Sequence, residues 1–281
     1  MNEPLVSIVI PTKNSAEFLD ECLTSVHKQV YKNIEIIIVD GQSKDGTIEL
    51  AQKHECNIYQ FNPNVRKGTF DAPHRRNYGA KKAKGEFVYY VDVDMELTPN
   101  VVLDAVCLCD SGYQAVIIPE DSFGIGIWAQ AKNLERRCYY GDDSIEAPRF
   151  LRKSIWMELG GLDESLGGGG DDWDLHQKLR DKKYTVGRTK SLVMHNEGNL
   201  KLKKLVKKRF MYGLDSAKYI KKRPNEGFKS YFPIRKAYII NWKLFLSRPI
   251  DTTAFIVMRI VEYLAGFSGI SCAFYRHWVR K

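Results

Sequence analysis

Several features that would assign this chain to a common class of protein are missing from its 281 residues. Its six cysteines form no Cys-x-x-Cys pair, which argues against a structural zinc site and favours a reducing cytoplasm. The chain has neither a Gly-x-Gly-x-x-Gly fingerprint nor a Gly-x-x-x-x-Gly-Lys-Ser/Thr loop, so we expect no glycine-rich turn that cradles phosphates. The first apolar run, Leu5 to Ile10, is short and lacks a basic start, and we therefore expect no signal peptide.

Charge is distributed unevenly along the chain. Residues 201–281 contain 19 lysines and arginines against four acids, a net charge of +15. Residues 1–200 carry 24 basic and 30 acidic residues, a net charge of −6. An acidic body with a basic tail indicates that the tail faces an anionic partner, such as a membrane surface, a nucleic acid or a phosphorylated substrate.

Short apolar runs alternate with amphipathic segments in the first part of the chain. Buried strands are predicted at Leu5 to Ile10, Ile34 to Val39, Ile58 to Phe61 and Phe87 to Val91, with helices between them. This order predicts an α/β protein with a Rossmann-like, mostly parallel sheet flanked by helices. We assign residues 1–200 to this domain, in two halves of 1–94 and 95–200, and residues 201–281 to a basic helical C-terminal extension.

The C-terminal extension contains two apolar patterns. From Leu202 to Ala217 apolar residues recur at helical spacing and lysines occupy the other faces, which predicts a basic amphipathic helix. The stretch from Thr252 to Tyr275 approaches the length of a membrane span, but it carries Arg259 and Glu262 near its middle. We therefore expect helices that pack on the body or lie at a membrane interface, rather than a membrane-spanning segment.

Polar side chains follow three of the predicted strands. Thr12 and Asn14 follow the first strand, Asp40 follows the second, and Asp92 and Asp94 follow the fourth. The C-terminal edge of a parallel sheet is where α/β proteins bind ligands. Two carboxylates so close together repel unless a cation holds them, and their hard oxygens suit Mg²⁺ or Mn²⁺. A solvated acidic turn is the alternative for an isolated Asp-x-Asp.

More acids and a histidine follow a run of four glycines, Gly167 to Gly170. Asp171, Asp172 and Asp174 open a predicted helix and offer a general base, although helix capping explains one of the three. His195 follows the last predicted strand and could bind a divalent metal, with a structural role as the alternative. Because four glycines are costly to order, we predict a mobile loop beside the site rather than a linker.

Six short motifs occur in one order along residues 5–200. They are Ser7-Ile-Val-Ile-Pro-Thr-Lys-Asn14, Val39-Asp-Gly-Gln-Ser-Lys-Asp-Gly-Thr47, Arg76-Asn-Tyr-Gly79, Lys84-Gly-Glu-Phe-Val-Tyr-Tyr-Val-Asp-Val-Asp94, Gly160-Gly-Leu-Asp-Glu164 and Asp171-Asp-Trp-Asp-Leu175. With these motifs the chain resembles the family 2 glycosyltransferases, which have the GT-A fold and transfer sugars from nucleotide donors with inversion. The Gln-x-x-Arg-Trp motif of processive synthases is missing, so the resemblance implies a hexosyltransferase that adds a single sugar.

The resemblance also implies roles for individual residues. The residues expected to bind the nucleotide sugar are Pro11, Thr12, Asn14, Asp40, Gly41, Arg76, Asp92, Val93 and Asp94. Asp94, together with His195 and Asp92, would bind Mn²⁺ or Mg²⁺ at the diphosphate. Asp172 would be the base that deprotonates the acceptor hydroxyl. The residues expected on the acceptor side are Gly161, Gly169, Gly170, Asp171 and Trp173. Residues 1–94 then form the nucleotide-sugar half and 95–200 the acceptor half.

Departures from the family pattern leave the nucleotide open. The first loop has Asn14-Ser15 in place of Asn-Glu, the second motif begins Asp40-Gly41 in place of Asp-Asp, and the acidic pair is Asp-Asp in place of Glu-Asp. UDP and GDP are the favoured nucleotides, with dTDP as a further option. The resemblance implies a lipid-linked or other cell-surface glycan precursor as the acceptor. We therefore expect a peripheral protein whose basic tail docks on the anionic cytoplasmic face of the membrane.

Two other interpretations compete with this one. A sugar-nucleotide nucleotidyltransferase would share the Rossmann-like core and the Asp-bound Mg²⁺, but it needs a glycine-rich loop where the chain has Pro11-Thr-Lys-Asn14. A non-catalytic protein that binds membranes or nucleic acid would have lost the metal-binding or base carboxylates, and this chain retains them. No RNA-binding motif accompanies the basic tail, so we expect no nucleic acid partner.

Overall fold

The computed structural model describes residues 3–63, 70–168, 170–233 and 235–279, apart from the side chains of 276–278. These residues form ten strands and twelve helices. The strands are β1 (Val6–Thr12), β2 (Ile34–Asp40), β3 (Asn57–Gln60), β4 (Phe87–Tyr90), β5 (Met95–Leu97), β6 (Ala115–Ile117), β7 (Glu120–Ile125), β8 (Phe150–Arg152), β9 (Val186–Arg188) and β10 (Val193–Asn199). The helices are α1 (Ala16–His27), α2 (Thr47–Lys53), α3 (Ala72–Lys82), α4 (Val101–Asp110), α5 (Ile127–Tyr139), α6 (Lys153–Glu158), α7 (Gly170–Asp181), α8 (Leu202–Lys222), α9 (Pro224–Tyr231), α10 (Lys236–Ile240), α11 (Trp242–Ser247) and α12 (Pro249–Trp278).

The main sheet has seven strands in the order β3-β2-β1-β4-β8-β6-β9. Strands β1 to β4 are parallel to one another, β8 is antiparallel to both of its neighbours, and β9 is parallel to β6. The central strand β1 is buried along its whole length, as a strand covered on both faces must be. The predicted α/β architecture with a mostly parallel sheet is confirmed.

Alternate residues of the central strands belong to two separate cores. Ile8 and Tyr89 pack with buried residues of α1 and α4 on one face of the sheet. Val9 and Val88 pack with α3, α6 and α7 on the other face. Burial of each such side chain contributes roughly 1.5–3 kcal/mol, so the continuous apolar runs in the sequence hold helices on both faces. The charged ends of the strands are thereby left at the edge of the sheet.

A small second sheet lies beyond this edge, with the strand order β5-β10-β7. Strand β10 is antiparallel to β5 and parallel to β7. His195 pairs with Met95 on one side and Ser122 on the other, so it lies inside β10, which runs on to Asn199. The prediction that His195 follows the end of a strand is therefore wrong. The turn from Asp92 to Asp94 connects the two sheets, and side chains of both sheets lie close together around it.

The C-terminal helices pack against the body and against each other. Buried residues of α5, α8 and α12 share one apolar cluster, in which Leu134 meets Leu205 and Met258. Helices α8 and α12 touch backbone to backbone, because a Cβ atom on Gly213 would lie 2.2 Å from the carbonyl oxygen of Gly266. The expected packing on the body is confirmed, while the domain boundary at residue 200 stays a prediction.

Helix α12 contains a segment that is long and apolar enough to cross a membrane by length and composition alone. This segment, Pro249–Tyr275, has a mean hydropathy of 1.4, and 33% of its most apolar part is buried against the protein. The rest of the helix presents large apolar side chains to the outside, among them Ile250, Leu264 and Phe267. A helix that is apolar on its outer face needs a partner for that face.

Candidate active site

A cleft of about 670 Å³ opens at the C-terminal ends of β1 and β4. Its walls come from α3, α7, β10 and α8, so the amphipathic helix of the extension is part of the site. The predicted site residues that line it are Pro11, Arg76, Asp92, Val93, Asp94, Asp171, Asp172, Trp173 and His195. The two sheets, the acidic helix α7 and the basic helix α8 therefore converge on one site.

Two arginines form the centre of the cleft. Arg76 is buried and pairs with Asp92, and its Nη1 atom lies 3.1 Å from Asp171 and 3.5 Å from Asp172. Arg149 lies 2.8 Å from Asp92 and 3.7 Å from Asp172. Both guanidiniums sit over the ring of Tyr90, at 4.9 and 5.7 Å from its centroid. Paired guanidiniums at a strand edge can bind the oxygens of a diphosphate in place of their carboxylates.

The neighbouring arginines and burial shift the pKa values of Asp92 and Asp171 in opposite directions. Burial raises the pKa of Asp92, but the guanidiniums of Arg76 and Arg149 outweigh it and hold that pKa well below its usual range. Burial, helped by the neighbouring carboxylate of Asp172, raises the pKa of Asp171 to about 7. Asp171 thus takes up a proton near neutral pH.

Asp172 is the more exposed member of the acidic pair in the cleft. Its side chain is 15% exposed, against 4% for Asp171. The hydroxyl of Tyr90 donates a 3.0 Å hydrogen bond to Asp172 Oδ1 and so orients the carboxylate. Asp174, the third candidate base, is fully buried and pairs with Lys222 and Arg223, which ties α7 to the end of α8. Asp174 therefore has a structural role.

Asp94 and His195 are brought together on the other side of the Asp92–Asp94 turn. The Nε2 atom of His195 lies 3.1 Å from Asp94 Oδ2, and its Nδ1 atom lies 3.7 Å from Glu120 Oε2. Burial and Arg136 lower the pKa of His195, but Asp94 and Glu120 outweigh them and raise it. Asp94 itself is about a third exposed and accessible from the cleft.

The predicted three-residue metal site is not assembled as such. Asp92 is turned away from Asp94 because its carboxylate is held by two arginines. Within the described ranges, no group of three or more His, Cys, Asp or Glu side chains is arranged to hold a metal ion. Asp94 and His195 still fit Mg²⁺ or Mn²⁺, which often takes one or two protein ligands and completes its shell with phosphate oxygens and water.

Charged side chains of both signs line the cleft. Among the described lining residues there are ten lysines and arginines and eight aspartates and glutamates. The slight excess of cationic side chains favours an anionic ligand such as a diphosphate.

Four residues predicted to bind the donor hold the loops that border the cleft. Asp40 is 0% exposed and accepts hydrogen bonds from Ser43 N at 2.8 Å and Thr12 Oγ1 at 3.0 Å. The amide of Asn14 donates to Ser43 Oγ at 2.7 Å, and Gly41 lies beneath the guanidinium of Arg75. None of these four residues lines the cleft, and their predicted contacts with the donor stay a prediction.

The structure places two of the glycines predicted on the acceptor side outside the lining of the cleft, and their role there stays a prediction. Gly161 has φ +67°, and a Cβ atom there would lie 2.4 Å from Asn77 Oδ1, so its smallness serves a tight turn. Gly170 begins α7 and faces Tyr219. Neither residue lines the cleft, whereas Gly168 does. Gly169 lies outside the described residues.

Several residues of the site carried no recognisable signal in the sequence. Arg149 precedes β8 without any motif, and Glu120, 3.2 Å from Arg149, begins a strand too polar to be predicted. Lys208 and Arg209 belong to the basic helix α8, and no motif in the sequence distinguishes them from its other cations. Their place in the cleft depends on how α8 docks on α5 and α12, which local sequence does not encode.

Comparison with known proteins identifies the class. The Glycosyl transferase family 2 profile matches residues 7–156, and the chain belongs to this family. GlyG of Streptococcus pneumoniae is 35% identical over 98 residues, which are 35% of this chain and 33% of GlyG. The GalNAc(5)-diNAcBac-PP-undecaprenol beta-1,3-glucosyltransferase of Campylobacter jejuni is 32% identical over 117 residues, 40% of this chain and 37% of that enzyme. The matched stretch thus spans about a third of these relatives.

Solved structures confirm the predicted GT-A-like fold. The mannosyltransferase PcManGT from Pyrobaculum calidifontis, in complex with GDP-Man and Mn²⁺, superposes with a TM-score of 0.64 at 16% identity, over 95% of this chain and 88% of its own. The crystal structure of S. aureus TarS gives a TM-score of 0.55 at 16% identity, over 92% of this chain and 55% of TarS. The likeness to PcManGT includes the C-terminal helices, because nearly the whole chain is aligned.

Proposed function

We propose that this chain is an inverting, metal-dependent glycosyltransferase. It moves one sugar from a UDP- or GDP-sugar to a hydroxyl of a lipid-linked or other cell-surface glycan precursor. The observation that carries the proposal is the grouping of Arg76 and Arg149, the pair Asp94 and His195, and Asp172 around one cleft. A nucleotidyltransferase is less well supported, because no glycine-rich loop follows β1.

The leaving diphosphate needs its negative charge neutralised. Arg76 and Arg149 are placed to exchange their carboxylate partners for phosphate oxygens, which are stronger bidentate acceptors. Asp94 and His195 would hold Mn²⁺ or Mg²⁺, and the ion would act as a Lewis acid toward the leaving group.

Transfer then needs a base on the opposite face of the sugar. Asp172, oriented by the Tyr90 hydroxyl, accepts the proton of the acceptor hydroxyl. The acceptor oxygen forms a bond to the anomeric carbon while the bond from that carbon to the diphosphate breaks. One displacement of this kind inverts the anomeric centre. Asp171, whose pKa is raised to about 7, is about half protonated at neutral pH and therefore repels the diphosphate less than an ionised carboxylate would.

Relatives support the choice of ligands. PcManGT was solved with GDP-Man and Mn²⁺, and TarS with UDP-GlcNAc. The Campylobacter jejuni relative is named for a sugar chain linked through diphosphate to undecaprenol. By analogy we propose that the present chain uses a nucleotide-sugar donor, a divalent metal and a lipid-linked acceptor.

A thermal-shift screen tests the donor. UDP-, GDP- and dTDP-sugars are each added with and without Mn²⁺, and inorganic diphosphate with Mn²⁺ serves as the control. We expect one nucleotide sugar to raise Tm by several degrees only when Mn²⁺ is present, because ligand at 100 times its Kd stabilises by about 2.7 kcal/mol. If no nucleotide sugar stabilises the protein in a metal-dependent way, the proposed function is wrong.

We also propose that the protein is peripheral on the cytoplasmic face of a membrane. The outer faces of α10, α11 and α12 expose many large apolar side chains, and residues 201–281 carry the net charge of +15. The most exposed are Ile239, Ile240, Leu246, Ile250, Leu264, Phe267 and Tyr275. Each Lys or Arg near an anionic surface adds about 1 kcal/mol, and apolar side chains add insertion into the interface.

Sedimentation with lipid vesicles tests this localisation. We expect the protein to sediment with phosphatidylglycerol vesicles at low salt, to bind phosphatidylcholine vesicles much less, and to bind less in high salt. The double variant Leu246→Ser, Ile250→Ser should reduce vesicle binding about tenfold without a change in Tm, since both side chains are exposed. Absence of binding to anionic vesicles at low salt would contradict the proposal.

A further inference from the structure

A second cavity, of about 240 Å³, lies between α8, α9 and α12. Five aromatic side chains line it, and we call it the aromatic pocket. They are Trp173, Tyr212, Tyr231, Tyr263 and Phe267. The two cavities share a wall, because several residues line both. They are Gly168, Trp173, Arg209, Tyr212, Arg235, Arg259 and Glu262. Trp173 follows Asp172 in the chain, which places the pocket beside the proposed base.

Polar atoms without partners border the aromatic pocket. The Tyr231 hydroxyl and the Nε atoms of Arg235 and Arg259 are buried, and none has a hydrogen-bond partner among the described residues. A buried donor that stays unpaired costs about 1–3 kcal/mol, so such groups are usually satisfied by a ligand or by water. All three can donate, which favours a ligand with acceptor oxygens.

The lining of the pocket is also cationic. Arg209, Arg235 and Arg259 line it, and Glu262 is the one acid among the described lining residues. Glu262 is shared by two of the arginines, at 2.8 Å from Arg209 and 2.6 Å from Arg259. Arg235 has no carboxylate within ion-pair distance in the described part of the chain. The pocket thus combines aromatic walls with a surplus of guanidinium groups, which suits an anionic amphiphile.

The aromatic pocket leads to the exposed apolar face of α12. Phe267 lines the pocket and is 70% exposed, and Leu264 on the same face is 65% exposed. A ligand that occupies the pocket can therefore extend one end toward Asp172 and the other toward the surface proposed to face the membrane. A soluble sugar or a free phosphate would use only part of this path.

We infer that the aromatic pocket binds a phosphate group carried on an alkyl or prenyl chain. The apolar chain packs against the aromatic side chains, and Arg235 and Arg259 bind the phosphate oxygens. The role of this ligand as the anchor of the sugar acceptor rests on the proposed function. Its binding to the pocket can be measured without any sugar donor.

Isothermal titration with n-dodecyl phosphate, kept below its micelle concentration, tests the inference on the full chain. We expect one site per chain, no binding of inorganic phosphate at the same concentrations, and at least tenfold weaker binding of n-dodecyl maltoside. Phe267→Ser and Arg235→Gln should each weaken binding of dodecyl phosphate about tenfold, which corresponds to about 1.4 kcal/mol. Their matched controls, Leu264→Ser and Lys236→Gln, remove a neighbouring side chain outside the pocket and should leave binding unchanged.

Each contrary result has a distinct meaning. Equal losses of dodecyl phosphate binding in Phe267→Ser and Leu264→Ser would place the alkyl chain of the ligand on the outer face of α12 and overturn the pocket assignment. Equal binding of the maltoside would overturn the phosphate assignment, and no binding of dodecyl phosphate would overturn the inference as a whole. Stabilisation by donor and Mn²⁺ is measured in parallel on every variant. Dodecyl phosphate binding without any donor effect would count against the proposed function and leave the pocket intact.

Discussion

Replacing Asp172 with asparagine should abolish sugar transfer and leave donor binding unchanged. Asparagine keeps the shape of the side chain and can still accept the hydrogen bond from the Tyr90 hydroxyl. It cannot accept the proton of the acceptor hydroxyl, so the general base is lost. Loss of a general base lowers the rate by about 10²–10⁴-fold. Donor binding is expected to persist, because Arg76 and Arg149, which are proposed to hold the diphosphate, are held in place chiefly by Asp92.

The rate of transfer is measured as release of nucleoside diphosphate. The assay contains the donor that stabilises the wild-type protein, and water or an added acceptor serves as the nucleophile. Thermal shift with the same donor and Mn²⁺ measures binding. Asp181→Asn is the matched control, because Asp181 lies on the same helix, half exposed and away from the cleft. Transfer by the Asp172→Asn variant at nearly the wild-type rate would mean that the base is another residue.

Replacing Asp94 with asparagine should remove the dependence of donor binding on metal. An amide is a much poorer ligand for Mn²⁺ or Mg²⁺ than a carboxylate, and within the described residues Asp94 has His195 as its only neighbour suited to share the ion. Without the ion the leaving diphosphate loses several kcal/mol of charge stabilisation. We therefore expect transfer to fall about a thousandfold and the Mn²⁺-dependent rise in Tm with donor to disappear.

Glu96→Gln is the control for Asp94, since it removes a nearby carboxylate from β5 that does not line the cleft. Mn²⁺ titration followed by electron paramagnetic resonance, in the presence of donor, reports the bound ion directly. The control should retain wild-type Mn²⁺ binding. Undiminished Mn²⁺ binding by the Asp94→Asn variant would falsify the assignment of Asp94 as a metal ligand.

The part of the site that depends on strand ends could be predicted from the sequence. Asp92 and Asp94 follow a buried apolar run, and such a run in a parallel sheet delivers its last residues to the ligand edge. The position of Asp172 could also be predicted, because Asp172 lies in the first turn of a helix within one of the six motifs of the family. These residues owe their positions to local structure and to sheet topology, both of which leave a pattern in the sequence.

The side-chain contacts that these acidic residues make could not be predicted from the sequence. Asp40 ends a strand as Asp92 does, yet its carboxylate bonds Thr12 and Ser43 and is fully buried. Arg149 contacts Asp92 because β8 pairs with β4 in the antiparallel direction. No sequence motif indicates this pairing. Whether an acid faces solvent, a loop or an arginine depends on the packing of distant segments.

The glycine contact between α8 and α12 determines how the site would respond to a bilayer. With Gly213 against Gly266, and Gly269 against the carbonyl of Phe210, the two backbones leave no room for either helix to slide past the other. A bilayer that tilts α12 would therefore turn α8 by the same amount, and Lys208 and Arg209 would move with it in the cleft. The surface proposed to face the membrane and the cleft are therefore connected mechanically through the α8–α12 contact.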